Sequence, residues 1–265
     1  MSYARAPVVT LLSIGVIWWS KTELLCMKLM RLAFRRETAR PMLALLFASG
    51  VSMALVAARI VGTRDVDRYG FLAWNLFLAW LPLIFALLAC EEYRAPSGRK
   101  GRFAGLAGAW LLFFPNAPYI FTDVIHLTTR SYGHVWVDMV LILLCALIGL
   151  VLGFVSLFLM QGVVARLWGR ARSWVFVAAV AGLSGYGIYL GRFLRFNSWD
   201  VLFKPLALSR GIGRWAADPF GHPNSYAFPV LFATFLFLAY LMLYALTHLQ
   251  PAQFASAPQN EPVRI

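Results

Sequence analysis

At 265 residues, with 61% hydrophobic and only 13% charged side chains, the chain is far more apolar than a soluble globular domain, in which about 45–50% of residues are apolar and about 25% charged. The formal net charge of +13 comes without the basic soluble face interleaved with aromatics that a nucleic-acid partner requires, so no nucleic acid is expected. The composition predicts an all-α polytopic membrane protein whose excess cations lie against anionic lipid headgroups.

Residues 1–40 form an N-terminal extension. Val8 to Ser20 is apolar but only 13 residues long, short for a bilayer crossing, and Lys21, Lys28, Arg31 and Arg35 follow on roughly one helical face. An amphipathic surface helix or an extra span fits this pattern. Residues 41–248 read as a six-span membrane domain, with windows at Met42 to Gly62, Gly70 to Cys90, Phe103 to Thr122, Val135 to Met160, Trp174 to Leu194 and Tyr226 to His248. Arg59, Asp138 and Arg192 are the charges inside these windows, all near their ends. Residues 249–265 are rich in Pro, Ala and Gln and read as a disordered cytoplasmic tail.

The loops orient the bundle. Residues 21–40, 91–102 and 161–173 carry six, four and three Lys or Arg, whereas 63–69, 123–136 and 195–225 carry two, one and four over a longer total length. Cytoplasmic loops accumulate these residues, so both termini of the six-span core are expected inside. The same orientation puts Asp65, Asp67, Asp123, Asp138, Asp200 and Asp218 outside and all the glutamates inside. Cys26, Cys90 and Cys145 have no metal-ligand or disulfide spacing, and no metal is assigned.

The third span is broken. WLLFFPNAPYIFTDVIH, residues 110–126, carries Pro115 and Pro118 around Asn116. Proline disfavours helical geometry in the residue before it, so the span is expected to stop near Phe113, with Phe114 and Ala117 extended. Lipid cannot satisfy the backbone groups such a break frees, so protein or a polar cavity must supply partners. Beyond it, Tyr119, Asp123, His126 and Arg130 fall on one face of a short α-helix, leaving Ile120, Val124 and Leu127 to dip into lipid. His134 and Asp138 follow at i, i+4. Asp and His pairs joined by a tight loop suit a divalent cation or general acid/base work, but no high-specificity metal motif is present. Asp123, His126 and Asp138 are the candidate catalytic residues.

Polar groups on other spans map to the same level. Asn75, Asn116, Tyr119, Arg192, Arg195, Asn197 and Asp200 are the candidate ligand-binding residues, expected to line one outward-facing pocket with the acids. Three pairs at G-x-x-x-G spacing, Gly101/Gly105, Gly149/Gly153 and Gly187/Gly191, allow close helix approach and would place spans three, four and five at the tight centre.

The strings WNLFLAWLPL (74–83), WLLFFPNAPYIFTDVIHL (110–127) and GRFLRFNSWD (191–200) resemble signature blocks of a family of bacterial integral membrane proteins classed as domain of unknown function 1361, over about residues 42–248. The resemblance implies a multi-pass protein, here of the bacterial cytoplasmic membrane, and transfers no catalytic residue and no cofactor. Three readings of function remain: binding, with or without modification, of an anionic lipid or envelope headgroup; small-solute transport through the discontinuous third span; and a non-catalytic assembly subunit whose polar cluster packs against a partner. Cofactor and oligomeric state stay unknown at this point.

Overall fold

The computed structural model describes residues 39–95, 100–127, 135–196, 198–206, 209–210, 213 and 224–247. The expectations for residues 1–38 and 248–265 lie outside them. The described chain is helical, with no strand among the described residues, and six helical segments are long and apolar enough to cross a membrane. The chain falls into two compact units that divide between Trp174 and Val175.

In the first unit, α1 (Ala39–Thr63), α2 (Val66–Arg94), α3 (Lys100–Phe113) and α5 (Val135–Trp168) are the long helices. Between α3 and α5 lie one helical turn, α4 (Asn116–Tyr119), and a 3-10 helix, η1 (Ile120–Leu127). α1 buries Met42, Leu45, Ser49, Ser52 and Val56. Their alternating three- and four-residue steps make the narrow seam of coiled-coil packing, and Arg59 is the next step on that seam. Trp80 Nε1 donates to Ser49 Oγ at 3.2 Å, which fastens α1 to α2 midway along both.

α2 and α5 form the centre. Tyr69 bonds Asp138 near one end of the pair, and Cys90 Sγ approaches the Leu159 carbonyl at 3.8 Å near the other. Both contacts join residues 69 apart, so the two helices run parallel and in register, as spans two and four must if the chain crosses the bilayer at each turn. α3 runs antiparallel to α2, with Phe85 against Phe113 and Tyr93 against Phe103. The buried Trp110 donates its indole N–H to Ser156 Oγ at 3.1 Å, satisfying the ring's polar atom inside the bundle.

α3 ends at Phe113, and the chain turns through Phe114 and Pro115 before α4. The expected extended geometry at Ala117 is corrected, since Ala117 sits inside the α4 turn and its N–H bonds the Phe114 carbonyl at 3.1 Å. Packing overrides the local preference. Ala117 is fully buried against α5, where a Cβ added at Gly149 would stand 2.5 Å from the Ala117 carbonyl oxygen and one at Gly153 would stand 3.1 Å from Ala117 Cβ. The glycine notch therefore admits backbone that no side chain would allow. Of the two glycine pairs in this unit, only this one is used: Cβ atoms at Gly101 and Gly105 would meet nothing within 4 Å, so α3 does not enter the tight centre through its own glycines.

The second unit holds α6 (Arg170–Phe193, entering it at Val175), α7 (Asp200–Phe203) and α8 (Asn224–Thr247). α6 and α8 pack antiparallel. A Cβ at Gly185 would collide with the Pro229 carbonyl oxygen, and Phe193 meets Phe228 edge-on with centroids 5.1 Å apart.

Candidate functional site

Several backbone groups at the break in the third span find partners within the chain. The Phe114 N–H bonds the Trp110 carbonyl at 2.8 Å and the Tyr119 N–H bonds the Pro115 carbonyl at 3.1 Å. Asn116 Nδ2 donates to the Phe113 carbonyl at 3.1 Å, and Thr122 Oγ1 donates to the Tyr119 carbonyl at 2.7 Å. Carbonyls left open where the α-helix stops are costly in an apolar setting, and Asn116 and Thr122 each close one. Asn116 and Tyr119 thus serve the turn itself.

After the turn, η1 sets the geometry of the acids. A 3-10 helix advances about 120° per residue, so i and i+3 lie on one ridge. Ile120 and Asp123 share that ridge and are both buried, at 0% and 1% exposure. The expected lipid-facing Ile120 is therefore corrected: an α-helical period of 3.6 separates it from Asp123, whereas the observed period of 3 joins them. Asn75, half-buried on α2, donates Nδ2 to Asp123 Oδ2 at 2.8 Å. Asp123 also acts electrostatically on the buried Cys145 thiol of α5. His126 is placed by its backbone, in the last turn of η1. His134 and Arg130 lie outside the described residues.

Asp138, in the first turn of α5, belongs to a second cluster. Its Oδ1 accepts from Arg59 Nε at 2.9 Å, and its two oxygens lie 3.1 and 3.0 Å from the Tyr69 hydroxyl, which donates to the carboxylate. Arg68 Nη2 stands 4.0 Å from Oδ2. Both guanidinium carbons lie over the Tyr69 ring, Arg59 at 5.6 Å and Arg68 at 5.8 Å from its centroid, close enough for cation–π attraction. Asp65 caps α2 by accepting from the Arg68 backbone N–H at 2.9 Å. Arg64 makes the sharp corner between α1 and α2 with φ of 55°, an unusual left-handed residue for which glycine is the common choice.

Sequence reasoning passed over Arg59, Arg68 and Tyr69. The usable signal is the α1 seam, whose three- and four-residue steps continue from Val56 to Arg59 and so aim this cation at protein. Asp138 is a carboxylate already engaged by Arg59 and Tyr69, which fits an anchor better than a general base. Asn75, the two acids and Asn116 all belong to the first unit, and α2 supplies a partner to each acid, Asn75 to Asp123 and Tyr69 to Asp138.

In the second unit, Arg192 is half-buried near the end of α6, and Arg195, exposed with φ of 57°, ends that helix while the Phe196 N–H bonds back to the Leu190 carbonyl at 3.1 Å. Asp200 is buried at 3% exposure and pairs with Lys204 Nζ at 3.6 Å. Asn197 lies outside the described residues. Among the described residues no three His, Cys, Asp or Glu side chains gather closely enough to hold a metal ion.

A protein-family model described as "Protein of unknown function (DUF1361)" matches residues 74–249, so the match takes in Asn75, the broken span and both acids and leaves α1 with Arg59 outside it. No curated protein and no solved structure matches the chain. The matched segment covers more than half of the sequence, and the chain belongs to the DUF1361 family.

Proposed function

We propose that this integral membrane protein binds an anionic lipid or envelope headgroup at the end of the first unit marked by Arg59, Arg68 and Tyr69. The observation that supports it is the state of Arg59. Its Nε is held by Asp138, its guanidinium carbon lies over the Tyr69 ring, and the side chain stays 21% exposed, so part of the guanidinium faces outward. A guanidinium has five N–H donors in a fixed fork suited to phosphate and carboxylate. Here one edge of the fork is fixed by protein and the other is presented. Asp65 and Asp67 bring the neighbourhood near neutrality, so the attraction is local and depends only weakly on ionic strength, because it acts well within a Debye length.

The excess of Lys and Arg in the alternate loops supports a reading in which this end faces outward and the basic loops face the cytoplasm of a bacterial inner membrane. The assembly-subunit reading is favoured by one observation, the internal pairing of Asp138. Native mass spectrometry from nanodiscs separates the two readings. Wild-type protein is expected to retain phosphatidylglycerol over phosphatidylcholine, and Arg59→Gln to lose that preference at least fivefold, a change of about 1 kcal/mol. Because Arg59→Gln strands Asp138, the paired change Arg59→Gln with Asp138→Asn keeps the cluster neutral. Undiminished preference in the paired variant excludes the headgroup reading.

A further inference from the structure

Ser52 departs from the way this chain treats its other buried serines. Ser156, Ser173 and Ser184 each turn the hydroxyl onto a carbonyl three or four residues back, at 2.7, 2.7 and 2.6 Å. Ser52 has the same option in α1 and leaves it unused. It is 0% exposed and, among the described residues, its Oγ is buried with no hydrogen-bond partner. A polar atom sealed away without a partner is costly, and a hydroxyl turned off its own helix points across the seam.

The ion pair fixes what lies opposite. Arg59 of α1 meets Asp138 of α5 at 2.9 Å, and the two helices run antiparallel. Stepping inward from that pair by the three- and four-residue spacings of both buried seams sets Val56 against Leu141, Ser52 against Cys145, Ser49 against Ile148 and Leu45 against Leu152, all of them buried. The bond from Trp80 to Ser49 agrees with this register, because the parallel alignment of α2 and α5 puts Trp80 level with Gly149, next to Ile148. Of these five steps, the one at Ser52 and Cys145 alone has no large side chain on either helix. Cys145 is itself 0% exposed, and Asp123 of η1, 1% exposed, acts electrostatically on its thiol. A hydroxyl, a thiol and a carboxylate thus converge from α1, α5 and η1 at the narrowest pair of side chains in the seam.

We infer that a single water molecule is bound there, accepting from the Ser52 hydroxyl and the Cys145 thiol and donating to the Asp123 carboxylate. Three hydrogen bonds are the usual complement of a buried water. A carboxylate offers about four lone-pair positions and Asn75 takes one, so a second donor is accommodated. The donor set selects water over other small guests: an apolar one leaves the Ser52 hydroxyl orphaned, and a hard cation calls for oxygen ligands where this site supplies a soft thiol. The site lies seven residues, roughly 10 Å, inward from the Arg59–Asp138 pair, behind Val56, Leu141 and Ile142. The water gives Asp123 a share of solvation at hydrocarbon depth and ties α1 to η1. It is separate from the headgroup site and stands or falls independently of it.

The test reads the Cys145 thiol directly, by the infrared S–H stretching band of protein in which the other two cysteines are replaced, Cys26→Ser and Cys90→Ala. The band is expected at the lowered frequency of a hydrogen-bonded thiol. Ser52→Val, whose methyls take the place of the water, is expected to shift it to the frequency of a free thiol. A free-thiol band with Ser52 present overturns the inference and needs no variant at Ser52 to fold. A lowered band that Ser52→Val leaves in place also overturns it, because the thiol then bonds Asp123 without water. Ser52→Ala supplies the second measurement. It is expected to lower the thermal midpoint in detergent, since the water loses an anchor, whereas deleting a hydroxyl that has no partner removes a cost; a midpoint at or above that of the wild type overturns the inference.

Discussion

Two glycine pairs of identical spacing meet opposite fates in the first unit. Gly149 and Gly153 on α5 receive Phe114, Ala117, Pro118 and Ile120 of the broken span. Gly101 and Gly105 on α3 face open space. Spacing fixes only that a groove exists on a helix; what fills it depends on whether a neighbour presents backbone at that level. The proline break supplies such a backbone to α5, and α3, lying antiparallel on α2, contacts it through Phe103 and Phe113 instead.

Filling the used notch should break this difference most severely. Gly149→Ala places a methyl 2.5 Å from a backbone carbonyl and 3.0 Å from Ile120 Cδ1, so the broken segment has to move. Overpacking of this kind costs about 1–3 kcal/mol, and the rigid carbonyl puts this site at the upper end. A large drop in the thermal midpoint in detergent is expected, because displacing the segment also disturbs η1 and the Asn75–Asp123 hydrogen bond. An unchanged midpoint would show that the segment does not sit in the notch.

Asp138→Asn ranks next. The variant keeps a partner for the Tyr69 hydroxyl and loses the ion pair with Arg59. Severing a fully buried pair costs about 3–5 kcal/mol, but Arg59 is 21% exposed and recovers part of its solvation, so about 1–2 kcal/mol is expected in the same unfolding measurement. Asp138→Asn combined with Arg59→Gln should regain most of that loss. A double variant as unstable as the single one would mean that the carboxylate acts on something other than Arg59.

How much of this was legible follows from the kind of signal involved. The six spans are stretches of apolar chain, and Pro115 and Pro118 announce the end of α3, since both effects are local. Asn75 and Asp123 stood out as polar residues in apolar surroundings, but their union depends on how α2 meets η1 and no spacing encodes it. Ile120 was misplaced because a 3.6 period was assumed where packing tightened the helix to a period of 3. Arg59 had a readable sign, the α1 seam of Met42, Leu45, Ser49, Ser52 and Val56, that is weak because two of its five members are serines. The arginines of the second unit were read by depth along the sequence, and depth alone does not bring residues together.

Gly105→Ala is the smallest expected effect and sharpens the comparison from the other side. A methyl there meets nothing within 4 Å, and alanine is favoured over glycine inside a helix by up to about 1 kcal/mol in water. In lipid that gain shrinks, because the helical hydrogen bonds have no solvent competitor. The thermal midpoint of Gly105→Ala is therefore expected at or slightly above that of the wild type, against the steep fall for Gly149→Ala. A clear loss at Gly105 would mean that its groove is filled in the membrane by a second helix from outside the unit, since small residues four apart matter only where another backbone comes close. Cross-linking from a cysteine placed at Ala104, exposed on the same face, would then identify that helix.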